Sequence, residues 1–116
     1  MVIAGFGCRA EATSESFRSA LTATGVRPDA LAVPADRAGL IAPFAEAEGL
    51  AVHSVAADLL SGIDTPTRST VSLAARGVGS VAEAVALAAV GPGARIVGLR
   101  VISSDRMATC AIAQGH

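Results

Sequence analysis

The chain has 116 residues, 52% hydrophobic and 16% charged, with a formal net charge of −1. Such a length and apolar content suit one domain, residues 1–116, that folds without a disulfide staple, and they argue against a disordered chain. The charge balance lacks the basic stretch of a nucleic-acid binder; with no Trp or Tyr and only three Phe, few platforms exist for stacking single-stranded bases.

Met1-Val2-Ile3-Ala4-Gly5 reads as a short buried strand, ended by Gly5 and Gly7. Thr13 or Ser14 is the expected N-cap of a helix to about Thr24, with Phe17, Ala20 and Leu21 on one face and Gly25 closing it. Pro28-Asp29 forms a turn, and Ala30 to Val33 a second strand stopped by Pro34. Ala38 to Glu48 is a second helix with Leu40, Ile41, Phe44 and Ala45 inward; Pro43 favours a helix proper that begins near Ala42.

Leu50 to Val55 is a third strand, followed by one helical turn from Ala56 to Leu60. Thr65 as N-cap, with Pro66 at the first helical position, opens a helix towards Ala75, interrupted by Gly77 and Gly79. Ser80-x-x-Glu83 reads as a capping box that starts an apolar helix to Val90. Arg95 to Val101 and Met107 to Ala113 are two last strands in a hairpin across Ser103-Ser104-Asp105-Arg106.

Strands alternating with helices, then a hairpin, predict an α/β fold: three layers, α/β/α, around a mixed, mostly parallel sheet ending in an antiparallel hairpin. The core is expected from Ala, Val, Leu and Ile, with Leu87 and Ile96 among its few large members. No basic region precedes a long apolar stretch, and no apolar segment reaches about 18 residues, so neither a secretory signal nor a membrane span is expected. A cytoplasmic setting follows, with no metal and no cofactor.

Two glycine motifs are the candidate sites. Gly5-x-Gly7-Cys8-Arg9 follows the first strand, where an open sheet presents its ligand crevice; the glycines admit a ligand to the backbone and Arg9 can clamp a carboxylate. It lacks the third glycine of a dinucleotide fingerprint, since that position is Ala10. The competing reading is a strand-to-helix turn that needs positive φ. Gly77-x-Gly79-Ser80 offers the amides of Val81 and Ala82 to an anion, against a purely structural capping box. Cys8 has no base partner in view: His53 lies mid-strand and His116 is the last residue. Arg100, Arg106 and Ser103-Ser104 are either solvated polarity or a carboxylate-binding rim.

Three segments, Met1-Val2-Ile3-Ala4-Gly5-Phe6-Gly7-Cys8-Arg9, Gly77-Val78-Gly79-Ser80-Val81-Ala82-Glu83-Ala84 and Ala108-Thr109-Cys110-Ala111-Ile112-Ala113, resemble the CobE family. That family is similar to the C-terminal domain of the cobalamin-biosynthesis protein CbiG, and the likeness covers essentially the whole chain. It implies an α/β/α domain acting at the corrin-ring stage of vitamin B12 synthesis. In the larger relative, further domains open a lactone on a cobalt-containing precorrin; the standalone form lacks them, and that hydrolase activity is not carried over. The chain departs from the family at Pro34-Ala35-Asp36-Arg37-Ala38-Gly39-Leu40, where the usual Lys is missing and Arg37 reverses an acidic charge.

The resemblance implies a ligand site at Gly5, Phe6, Gly7, Cys8, Arg9, Gly77, Val78, Gly79, Ser80 and Glu83, to which the residue chemistry adds Arg100, with no catalytic residue assigned. A precorrin or other corrinoid intermediate bears many peripheral carboxylates, which backbone N–H groups, Arg9 and Arg100 would suit. Carriage of that intermediate between pathway enzymes is the leading expectation. The alternatives are an enzyme acting on it through Cys8, Ser80 or Glu83, and a structural interaction domain of the same pathway. The two ligand-based readings require the two glycine motifs to converge on one cleft, whereas in the interaction domain the glycine loops are only structural.

Overall fold

The computed structural model describes residues 1–69, 73 and 79–115. In chain order the elements are β1 (Val2–Cys8), α1 (Ser14–Thr24), β2 (Ala30–Pro34), a 3-10 turn (Ala35–Arg37), α2 (Ala38–Glu48), β3 (Ala51–Val55), α3 (Ala57–Leu60), α4 (Val81–Val90), β4 (Arg95–Ile102) and β5 (Ala108–Gln114). One five-stranded sheet runs β3-β2-β1-β5-β4. β1 pairs parallel with β2, and β2 with β3; β5 pairs antiparallel with both β1 and β4. The sheet is therefore mixed, as expected for an α/β fold.

Helices cover both faces. On one, α1 and α2 enclose Phe6, Leu31, Val33, Cys110 and Ile112. On the other, α3 and α4 cover Ile3, Ala30, Ala32 and Val55. Alternate residues of each central strand serve opposite faces, which is why these strands read as unbroken apolar runs.

The first core differs from the expected all-aliphatic one. All three Phe are fully buried and meet in one cluster: Phe6 lies edge-on to Phe17, centroids 5.5 Å apart, and Phe44 sits 6.0 Å from Phe17. Leu87 and Ile96 are only half-buried. Burial of an aromatic ring removes more apolar area than any aliphatic residue here can, so the chain spends its few rings at the centre.

β1 does not stop at the glycines. It continues to Cys8, with Gly5 opposite Ala111 and Gly7 opposite Thr109 in the β5 ladder. Neither glycine has positive φ. Their cause is proximity to α4: a Cβ at Gly5 would stand 2.2 Å from the Ala82 carbonyl oxygen and 2.7 Å from the Ala86 Cβ. Gly5 lets helix and strand backbones touch, while a Cβ at Gly7 would stand 2.9 Å from the Thr109 Oγ1 and 3.2 Å from the Val81 Cβ; a turn is not involved at either.

α1 begins after Thr13, whose N–H donates to Ser16 Oγ at 3.0 Å, and ends at Gly25 with φ 69°. α2 runs unbroken from Ala38 through Pro43, which sits on the exposed face. The 3-10 turn ahead of it and the packing of Ile41, Phe44 and Ala45 hold the start at Ala38 despite the lost donor. No helix begins at Pro66: residues 66–69 are bends and coil. Thr65 instead turns its hydroxyl to the Thr67 carbonyl at 2.8 Å, and Leu73, which is helical, donates its N–H to Ser69. The rest of that expected helix, with Gly77 and Val78, lies outside the described residues.

Candidate functional site

A cleft of about 610 Å³ opens at the edge of the sheet where β1, β2 and β4 end. Parallel β1 and β2 deliver their carboxyl ends to the same side. β5, antiparallel to both its neighbours, brings the end of β4 there too. This is the crevice in which open α/β sheets place ligands.

The walls come from four places. β1 and its exit supply Gly7, Cys8, Arg9 and Ala10; the 3-10 turn after β2 supplies Arg37; α4 supplies Val81; the β4–β5 hairpin supplies Arg100, Ile102, Arg106, Met107, Ala108 and Thr109, and Ser69 completes the lining. The N-terminal motif and the start of the alanine-rich helix thus meet at one cleft.

Its charge comes from side chains. Arg9, Arg37, Arg100 and Arg106 are four of the nine cationic residues, all of them arginines, and no carboxylate lines the cleft among the described residues. The main-chain donors expected from the first glycine motif are committed elsewhere: Gly5 and Gly7 lie in the ladder, and the Arg9 N–H donates to Met107 O at 2.9 Å. Arg9 and Arg106 are exposed. Arg37 and Arg100 lie deeper, each with a buried Nε that finds no acceptor among the described residues. Leaving such a donor unsatisfied typically costs about 1–3 kcal/mol, which an anionic partner would recover.

Other predicted residues sit beneath the cleft. Phe6 belongs to the aromatic cluster and Gly5 is covered by α4, so neither reaches the lining. Gly79 is buried, and a Cβ there would meet Thr67 O at 2.6 Å. Ser80 caps α4, its Oγ accepting the Glu83 N–H at 3.3 Å. The reciprocal half of the capping box is replaced: the fully buried Glu83 carboxylate accepts from Thr67 N–H at 2.8 Å, Thr67 hydroxyl at 2.9 Å and Arg100 N–H at 3.0 Å.

The last loop resolves into two roles. Arg100 and Arg106 face the cleft, whereas the serines hold the hairpin. Ser103 Oγ accepts N–H bonds from Met107 and Ala108, and Ser104 N–H donates to Ser19 Oγ on α1. Asp105 accepts from Ser103 and Ser16 hydroxyls at 2.6 Å. Those bonds, with one from the Met107 N–H, hold its carboxyl below the ordinary value of 3.8. Arg106 takes a left-handed φ of 62°, unusual for a side-chain-bearing residue, as the chain turns into β5.

Cys8 lines the cleft half-buried, while Cys110 is fully buried and its thiol pushed up by desolvation. His53 is exposed on β3, with β2 between it and β1. Among the described residues no group of three His, Cys, Asp or Glu could hold a metal ion, and no helix is long and apolar enough to cross a membrane. Sequence reasoning left Arg37 out of the site. Its place after β2, parallel to β1, was the available signal, because both strand ends must share one edge.

Residues 2–113 match the family model described as cobalamin synthesis G C-terminus. Among solved structures, CobE, a protein from the cobalamin (vitamin B12) biosynthetic pathway, is 32% identical with a TM-score of 0.81, over 97% of this chain and 89% of that one. The cobalamin biosynthesis protein chiG from Agrobacterium tumefaciens is 35% identical with a TM-score of 0.74, over 99% and 98%. No curated protein matches.

Proposed function

Because the chain belongs to the cobalamin synthesis G C-terminus family and is a protein of cobalamin biosynthesis, we propose that its arginine-lined cleft binds a precorrin or other corrinoid intermediate and carries it between pathway enzymes. The carrying observation is the gathering of Arg9, Arg37, Arg100 and Arg106 around one cleft, in a chain whose net charge is −1. Guanidinium forks match carboxylates two bonds at a time, and a corrinoid precursor presents many carboxylates around its rim. Val81, Ile102 and Met107 supply apolar wall beside them.

Recognition is by the edge of the macrocycle. The three Phe rings are consumed by the core, so none is left to stack on a corrin face. Carriage is favoured over chemistry by what surrounds Cys8: no histidine lines the cleft among the described residues, and Ser80 and Glu83 are buried in structural hydrogen bonds. The cytoplasmic setting expected from the sequence belongs to the same reading.

The test mixes purified protein with hydrogenobyrinic acid or a precorrin, desalts it, and records visible spectrum and mass. Retained colour with an unchanged compound supports carriage. A changed compound assigns chemistry to the cleft instead, and no retention removes the proposal.

A further inference from the structure

We infer that Glu83 is a positioning residue of this cleft, acting through the main chain of Arg100; the inference rests on the cleft being the ligand site. The helix does not need Glu83 for its start, since Ser80 Oγ already caps α4. The Glu83 carboxylate is fully buried, and the described donors to it come from the residues that shape two cleft walls.

One wall is β4. Its pairing with β5 shifts register between Gly98 and Val101, the stretch that contains Arg100. Such an irregularity re-aims side chains and takes a main-chain group out of the ladder. Glu83 Oε2 accepts the Arg100 N–H there at 3.0 Å, so the carboxylate holds the strand where it departs from regular pairing. The Arg100 guanidinium then lines the cleft with its Nε buried.

The other wall is the segment 65–69. Thr67 gives Glu83 both its N–H and its hydroxyl, and Ser69 donates its N–H to Gly79 O at 2.7 Å. Ser69 lines the cleft two residues beyond Thr67. A single buried acceptor therefore fixes the distance between Arg100 and the segment facing it. Gln at this site keeps the shape but turns an N–H₂ group towards one of the two N–H donors, Thr67 or Arg100, and so unties the Arg100 wall from the segment facing it.

The experiment is a double-mutant cycle read by equilibrium binding of two probes, citrate and hydrogenobyrinic acid. Glu83→Gln is expected to weaken binding about tenfold in the otherwise native protein and in Arg9→Ala, but less than about twofold in Arg100→Ala. A purely structural role would weaken all three backgrounds alike, and that result overturns the inference. Thr67→Val removes one hydroxyl bond and serves if Glu83→Gln does not fold; the same Arg100-dependent pattern is expected at about threefold, and an equal effect in both backgrounds, or none, overturns it. Binding of citrate without hydrogenobyrinic acid removes the corrinoid reading and leaves Glu83 scored on citrate. Binding of neither probe removes both.

Discussion

A Cβ added to Gly5 would stand 2.2 Å from the carbonyl oxygen of Ala82, closer than atoms can pack. Strand and helix backbones are in contact there, and the neighbouring atom belongs to a main chain that cannot rotate away. Gly5→Ala is therefore expected to destabilise the fold by about 3 kcal/mol or more, measured by urea unfolding. Gly39 is the control: it is helical and exposed, and a Cβ there meets nothing within 4 Å. Gly39→Ala should stabilise by up to about 1 kcal/mol. Equal stability of Gly5→Ala and the parent protein would contradict the close-packing account.

Asp105 carries a pH prediction. Its folded carboxyl titrates below 3.8, so its contribution to stability is fully present above that value and is lost as pH falls through the lower, folded one. The stability gap between the parent protein and Asp105→Asn should be constant from neutral pH to about 5 and close below the carboxylate range. A gap that widens on acidification would refute the bonding pattern of Ser16, Ser103 and Met107 around this group.

The Cys110 thiol faces the aromatic core and is pushed up by burial. It should resist alkylation in the native protein and react only on unfolding. Peptide mapping after iodoacetamide treatment with and without urea measures this; native labelling at Cys110 would contradict the packing of β5 between β1 and β4.

The fold was largely legible because its signals are local. Thr13 and Gly25 bound α1, Ser80 opens α4, and the apolar runs at Ile3, Leu31 and Ile112 mark strands buried on both faces. The glycine motif was misread for a non-local reason. A glycine after an apolar run signals a turn unless another element lies against it, and nothing near Gly5 in sequence announces Ala82. Thr65-Pro66 carried a sound helix-start signal, but the Thr65 hydroxyl bonds Thr67 O and Thr67 is drawn to Glu83.

The site was legible in position and not in chemistry. Arg9 and Arg100 were expected at the cleft and line it, with Cys8 and Gly7. Arg37 was judged by its departure from relatives when its place after β2 put it on the same edge. Glu83 is expected from the sequence to meet ligand; buried beneath the cleft, it accepts from the Thr67 and Arg100 N–H groups and the Thr67 hydroxyl.

The central claim is that the deep arginines hold a polycarboxylate. It is tested most directly by titrating hydrogenobyrinic acid into the parent protein and into Arg37→Ala/Arg100→Ala, following the visible spectrum at low and high salt. The account predicts at least about a tenfold loss of affinity in the double variant, and weaker binding by the parent protein as salt rises. Equal affinity of the two proteins at both salt concentrations would contradict it.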